Sequence, residues 1–238
     1  MISDSLNYLR TSEDWVKTVL IGGILSLLGV FVVPVVFILG YFVRVIRATM
    51  HGDETAPSFD NWGELGMDGL KAAAISLVYA IVPTAVAGLL IGGSVLTFSV
   101  GGNGPSGGLA ALGGVALFVG ILALFVLGLL AMYAIPAAIA NFVETGEVGA
   151  GFRFGELRPV LTSGKYFTAW VTGVAIVIAG SLISGALNVV PFLGVVVGGF
   201  VGFYASVAAY YLIGRAWGDL REIELRETGG TPEERPAI

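Results

Sequence analysis

The sequence is poor in the residues that usually do chemistry. It has no cysteine and a single histidine, His51, which excludes disulfides, thiol nucleophiles and Cys/His metal centres. Charge is also sparse. Only 12% of residues are charged, about half the soluble average of roughly 25%. Residues 72–143 contain no Asp, Glu, Lys, Arg or His at all. The net charge of −5 with pI near 4.8 leaves no basic patch of the kind nucleic acid requires, so no nucleic-acid partner is expected.

What is present is apolar. Hydrophobic residues make up 56% of the chain, mean hydropathy is +0.90, and there are 36 glycines. A run of ~20 apolar residues crosses the hydrocarbon of a bilayer as a helix, and glycine is common in such helices. Three charge-free stretches, residues 18–43, 72–143 and 166–214, therefore predict an all-α, polytopic helical membrane bundle with lipids as its surroundings.

All 12 Lys and Arg fall in four segments: Arg10 and Lys17; Arg44, Arg47 and Lys71; Arg153, Arg158 and Lys165; and Arg215, Arg221, Arg226 and Arg235. The glycine-rich connection 101–108 and the break Asn188-Val189-Val190-Pro191 carry no charge. Basic loops stay cytoplasmic and neutral ones are translocated. This pattern makes 72–143 and 166–214 two hairpins and puts the C-terminus in the cytoplasm of a multi-pass protein of the cell membrane. The first 17 residues are mixed in charge, unlike the basic start of a cleaved signal, so the first apolar run is expected to remain as an anchor.

That run has two readings. As one kinked helix, residues 18–43 span about 39 Å and the bundle has five spans. With a turn at Val32-Val33-Pro34 there are six helices in three hairpins, and every basic residue lies on one side. Proline lacks an N–H and disfavours helix before it. In the six-helix reading a single membrane domain, 1–220, has spans at about 16–33, 35–50, 72–98, 112–142, 166–189 and 191–214. Residues 221–238, charged and ending in a Gly/Pro/Glu-rich segment, form a disordered acidic cytoplasmic tail.

Weak internal similarity accompanies the hairpins. Trp15 precedes Pro34 by 19 residues and Trp170 precedes Pro191 by 21. Three tetrads share an aromatic-Gly-acid-Leu pattern: Trp62-Gly63-Glu64-Leu65, Phe154-Gly155-Glu156-Leu157 and Trp217-Gly218-Asp219-Leu220. The first two read as short interfacial helices, either lying in the headgroup plane or tucked as loops against the bundle. Trp15, Phe59, Trp62, Phe154, Trp170 and Trp217 are expected at the membrane interface, with Arg44 and Arg47 reaching anionic headgroups. Small residues at four-residue spacing, Gly88 and Gly92 after Ala80 and Thr84, and Gly194, Gly198 and Gly202 before Ser206, read as helix-packing ridges.

No ionisable side chain falls inside a predicted span, which argues against proton pumps and charge-coupled carriers. No catalytic, cofactor-binding or metal-ligating residue emerges. Ser163-Gly164-Lys165 lacks the upstream glycine and following Ser/Thr of a phosphate loop and reads as a helix start. The polar groups at depth are hydroxyls and amides, among them Thr84, Ser184, Asn141 and Asn188, with the amides cast as caps or interhelical bonds.

Residues Glu13-Asp14-Trp15, Gly40-Tyr41-Phe42-Val43-Arg44-Val45-Ile46-Arg47, Pro57-Ser58-Phe59-Asp60-Asn61-Trp62 and Asp68-Gly69-Leu70-Lys71 resemble the archaeal membrane-protein family called domain of unknown function 4013. The similarity covers about residues 4–220, and the Gly-Tyr-x-Val-Arg-x-x-Arg and Pro-x-Phe-x-x-Trp segments carry most of it. It implies an archaeal, haloarchaeal source and brings no activity, so no functional residue transfers. The functional expectation is a non-enzymatic structural or partner-binding membrane component, with a protein partner at the cytoplasmic loops or tail. The alternative is a permease or lipid-handling protein for uncharged or lipidic cargo.

Overall fold

The structure, a computed structural model, describes residues 2–101, 107–190 and 192–227. Among them all regular structure is helical: α1 (Ile2–Asn7), α2 (Trp15–Leu27), α3 (Val32–Met50), α4 (Trp62–Gly101), α5 (Gly107–Thr145), α6 (Phe154–Leu161), α7 (Gly164–Ala186) and α8 (Leu193–Glu227), with single 3-10 turns at Tyr8–Thr11, Val148–Phe152 and Leu187–Val189. Five of these helices are long and apolar enough to cross a membrane, and α2 is a shorter apolar helix. The chain is a helical bundle of five to six spans.

The first apolar run does turn, but not at Val32-Val33-Pro34. The break is Leu28–Phe31, where the Gly29 N–H donates to Ser26 O at 3.1 Å and the Phe31 N–H to Leu28 O at 2.9 Å. Pro34 is the third residue of α3. The first N–H groups of a helix have no acceptor within it, so a proline there gives up no helical bond. The turn upstream leaves α2 with 13 residues, about 20 Å of helix, against 19 residues in α3. The spacing from Trp to Pro therefore does not mark equivalent turns in the two hairpins.

Two compact units emerge from the contacts, Met1–Ala73 with Pro136–Ile238, and Ala74–Ile135. In the first, α8 is the hub, packed on by α7, α3, α2 and α1. Its core joins Tyr8, Tyr41, Phe42, Val45, Phe59, Leu65, Phe203 and Val207. The rings stack in pairs, Tyr41 on Phe59 at 4.4 Å and Phe42 on Tyr210 at 4.5 Å between centroids, an arrangement that adds attraction beyond the buried area. Phe59 is thus a core residue, not the interface anchor expected. Trp217, fully buried, is corrected in the same way.

Helices close on α8 and α3 where glycine removes a side chain. A Cβ at Gly22 or Gly23 would enter the ring of Phe203 or Phe200, and one at Gly218 would lie 3.1 Å from Met50 C. Of the glycines expected to pack, Gly194 does, with a Cβ there falling 2.6 Å from Ser184 O, and Gly198 is in ordinary contact with Ser184 at 3.4 Å. Gly88, Gly92 and Gly202 meet nothing within 4 Å in this chain. A four-residue spacing identifies a helix face and does not say whether that face turns inward.

In the second unit, Gly113 faces Thr97 and Ser94, and Gly120 faces Leu90 and Ile91, so glycines of α5 let its backbone approach α4. Outward, large apolar side chains are bare, Leu89 at 79% and Phe118 at 68% exposure among many. Apolar surface on this scale needs a nonaqueous covering.

Two expectations about irregular segments change. Trp62 does not begin a separate interfacial helix but opens the 40-residue α4, whereas Phe154–Leu161 is a short helix as read. The tail expected from residue 221 begins as a continuation of α8, which runs to Glu227 through residues rich in the strong helix formers Glu, Leu and Arg. The rest of that tail, Pro191 and residues 102–106 of the glycine connection lie outside the described residues.

Candidate functional site at the charged end of the first unit

The segment between α3 and α4 shapes this end. It leaves α3 through Gly52 at φ +85° and enters α4 through Asn61 at φ +39°. Buried tyrosines fasten it: Tyr41 Oη donates to Pro57 O at 2.9 Å and Tyr8 Oη to Thr55 O at 3.2 Å, while the Ala56 N–H donates to Thr11 Oγ1 at 3.1 Å. Burial, then the nearby Asp53, push the Tyr8 hydroxyl above its ordinary range, keeping it a donor at neutral pH.

Arg44 and Arg47 are each paired with an acid of the α3–α4 region. Arg44, with a side chain only 11% exposed, donates to Asp60, to Ser58 O at 3.2 Å and to Asn61 O at 3.3 Å, with Glu64 at 3.9 Å. The Ser58 hydroxyl at 3.0 Å, together with Arg44, holds the Asp60 carboxyl below its ordinary range. Arg47 pairs with the buried Asp68 at 3.0 Å. Sequence reading missed both pairings, since nothing local links positions 16 and 21 residues apart.

Each tetrad places its acid against a base. Glu64 lies near Arg44, Glu156 is 3.5 Å from Arg153, and Asp219 is 2.7 Å from Lys165. Leu65 and Leu157 beneath them are fully buried. Asn141, buried in α5, donates to Ala150 O at 2.8 Å and to Glu156 Oε2 at 2.9 Å, an interhelical bond as its position suggested. Its bond to Glu156, aided by Arg153, holds that carboxyl below the ordinary range. Across from these, Glu144 Oε2 accepts from Trp217 Nε1 and from Arg221 Nε, each at 2.9 Å.

Two open clefts lie at this end. The larger, about 630 Å³, is lined by Ser12, Glu13, Asp14, Arg44, Arg47, His51, Asp53 and Asp60 among others, and the second, about 520 Å³, by His51, Glu144, Arg215 and Asp219 among others. His51 borders both. Its Nδ1 lies 2.7 Å from Arg47 O, and a carbonyl only accepts, so Nδ1 carries the proton. Among the described residues no three His, Asp or Glu are arranged to hold a metal ion. What the site offers is charge and hydrogen-bonding groups in an open surface.

The remaining expected anchors are scattered. Trp15 is partly exposed under Arg10, whose guanidinium lies 5.9 Å from the ring, Trp62 packs edge-on to Phe37 at 5.2 Å, Phe154 is exposed, and Trp170 is half-buried. Ser163 caps α7, accepting from the Tyr166 N–H at 3.1 Å, so Ser163-Gly164-Lys165 is the helix start that its sequence suggested.

A family described as "Protein of unknown function (DUF4013)" matches residues 23–189, well over half of the chain. The chain belongs to DUF4013. No curated protein and no solved structure matches it. The DUF4013 match takes in the cleft-forming segment and stops just before α8, the hub of the first unit. Within it, the segments from Gly40 to Arg47 and from Pro57 to Trp62 build each other: Tyr41 stacks on Phe59 and bonds Pro57, and Arg44 holds Asp60 and Asn61.

Proposed function

We propose that this DUF4013 member is a non-enzymatic multi-pass protein of an archaeal cell membrane, with its C-terminus in the cytoplasm, and that it holds a protein partner at its charged end. One observation carries the reading. In the larger cleft the arginines are committed to Asp60 and Asp68, while Glu13, Asp14 and Asp53 have no ion-pair partner among the described residues. The cleft therefore presents surplus negative charge, which favours a basic segment of a partner and disfavours acidic ones. Five apolar helices long enough to cross a bilayer support the membrane placement.

The absence of native cysteine makes the test clean. Thiols introduced by Glu13→Cys, by Asp53→Cys and in the 101–108 connection are labelled with an impermeant maleimide in intact cells and in inverted vesicles. A photo-crosslinker replacing Glu54 then samples the cleft in the native membrane. The expected result is that residues 13 and 53 share one side, the glycine connection lies on the other, and a discrete adduct at 54 disappears in the Glu13→Gln/Asp14→Asn/Asp53→Asn variant. Labelling of residue 53 and the glycine connection from the same side overturns the placement, and an adduct indifferent to the three substitutions overturns the partner site.

A further inference from the structure

A groove in the first unit, away from the charged end, has chemistry that the partner reading leaves unused. About 380 Å³ in volume, it lies between the α2–α3 hairpin and α8, and its lining includes Ser26, Ile38, Phe42, Val195, Gly202 and Ser206. No charged side chain lines it. From Val195 to Ser206 it follows α8 for about 17 Å, ending some 13 Å short of Arg215.

Two features distinguish it from an incidental gap. Hydroxyls in these helices commonly turn back onto a carbonyl of their own helix, as Thr84, Ser99, Thr172, Ser181 and Ser184 do on residues four positions earlier. The hydroxyls of Ser26 and Ser206 make no hydrogen bond among the described residues, and both line the groove. The second feature is Gly202, where a Cβ would meet nothing within 4 Å. A glycine on α8 thus widens the groove without serving any helix contact.

We propose that this groove binds a neutral, oxygen-bearing lipid, its chain lying along Gly202 and its oxygen atoms hydrogen-bonded to Ser26 and Ser206. A charged headgroup would be stripped of water here with no countercharge to receive it. A purely hydrocarbon chain would leave two hydroxyls unsatisfied in an apolar setting, where an unmade bond is costly. A chain ending in, or interrupted by, a carbonyl or hydroxyl meets both demands. The proposal depends on the membrane placement of α3 and α8 and not on a protein partner. The thiol-labelling map tests that placement separately.

The probe is diacylglycerol bearing a chain diazirine, incorporated in phosphatidylcholine vesicles with the full-length protein, and a diazirine phosphatidylcholine serves as the charged-headgroup arm. Crosslinks from the neutral probe are expected in peptides holding Ile38–Phe42 and Val195–Ser206, saturating with probe. Gly202→Leu, which fills the groove, should abolish them, whereas Gly88→Leu, equally open but elsewhere, should not. The Ser26→Ala/Ser206→Ala variant should raise half-saturation about tenfold, as loss of two modest hydrogen bonds requires. A melting temperature for each variant separates lost binding from lost fold. Where Gly202→Leu lowers it, Gly202→Val is read instead. Labelling that survives in a folded groove-filling variant, that spreads evenly over bare residues such as Leu89 and Phe118, or that is as strong with phosphatidylcholine and indifferent to the serines, overturns the proposal.

Discussion

Gly40 of α3 and Gly69 of α4 meet backbone to backbone. A Cβ on Gly69 would fall on the Val36 carbonyl oxygen and 2.9 Å from Gly40 N, and one on Gly40 would fall on the Leu65 carbonyl and 3.2 Å from Gly69 N. The obstructing atoms belong to the backbone, so no rotamer change makes room. This contact sets Arg47 opposite Asp68 and Tyr41 beside Phe59, and so it positions the larger cleft.

Alanine at either position is therefore expected to cost about 3 kcal/mol or more, by forcing two packed helices apart. Gly88→Ala and Gly92→Ala, with nothing within 4 Å to obstruct them, should be neutral or stabilise by up to ~1 kcal/mol through helix propensity. Thermal melts of the purified protein in one detergent rank all four. Equal effects at Gly40 and Gly88 would contradict the packing.

The pair Arg47 and Asp68 is asymmetric in burial, with side chains 39% and 9% exposed. Arg47→Ala leaves a buried carboxylate without its counterion, and a loss of up to about 3 kcal/mol is expected. Asp68→Asn keeps the shape and frees an arginine that reaches water, so it should cost less. Melts of the two variants, with Arg47→Ala/Asp68→Asn as the closing corner of a double-mutant cycle, measure the coupling. Additive effects would rule the coupling out.

Glu144 receives both the Trp217 indole and Arg221 on one oxygen. Glu144→Ala strands a buried indole N–H and should destabilise by about 1–3 kcal/mol. Glu144→Gln still offers an oxygen to Trp217 and should recover most of that loss. Tryptophan fluorescence checks the local change. An emission spectrum unaltered in Glu144→Ala would remove Trp217 from this contact.

Glu156 has a carboxyl held below the ordinary value of 4.5, first by the Asn141 amide and then by Arg153. A folded-state value lower than the unfolded one stabilises above the unfolded value, and the contribution disappears as pH falls through the folded value. The wild type should therefore lose more melting temperature between pH 5 and pH 3 than Glu156→Gln, and Asn141→Ala should narrow that difference. Parallel pH profiles for wild type and Glu156→Gln would count against the assignment.

Much of the architecture is legible in the sequence. Residues 72–143 lack charge and carry two apolar runs long enough to cross a bilayer as helices, and α4 and α5 occupy them. Asn141 and Ser163 were legible because an amide near a span end and a serine before a basic helix start have few other uses. The turn of the first run was misplaced because proline marks both turns and first helical positions, and only packing of Gly22 and Gly23 against α8 distinguishes them. The interface role given to Phe59 and Trp217 failed for a related reason. An aromatic beside charges looks the same in sequence whether it faces lipid or a stacked partner such as Tyr41.

By itself, then, the sequence determined the helical class, the presence of several long apolar segments and the confinement of charge to their ends, because these depend on runs and periods along one chain. Tertiary structure decided which glycines admit a neighbour, which acids neutralise Arg44 and Arg47, and where Ser26 and Ser206 face. Each of those is a relation between residues far apart in the chain, fixed by which helix faces meet, and hydropathy along a single helix contains no record of its neighbour.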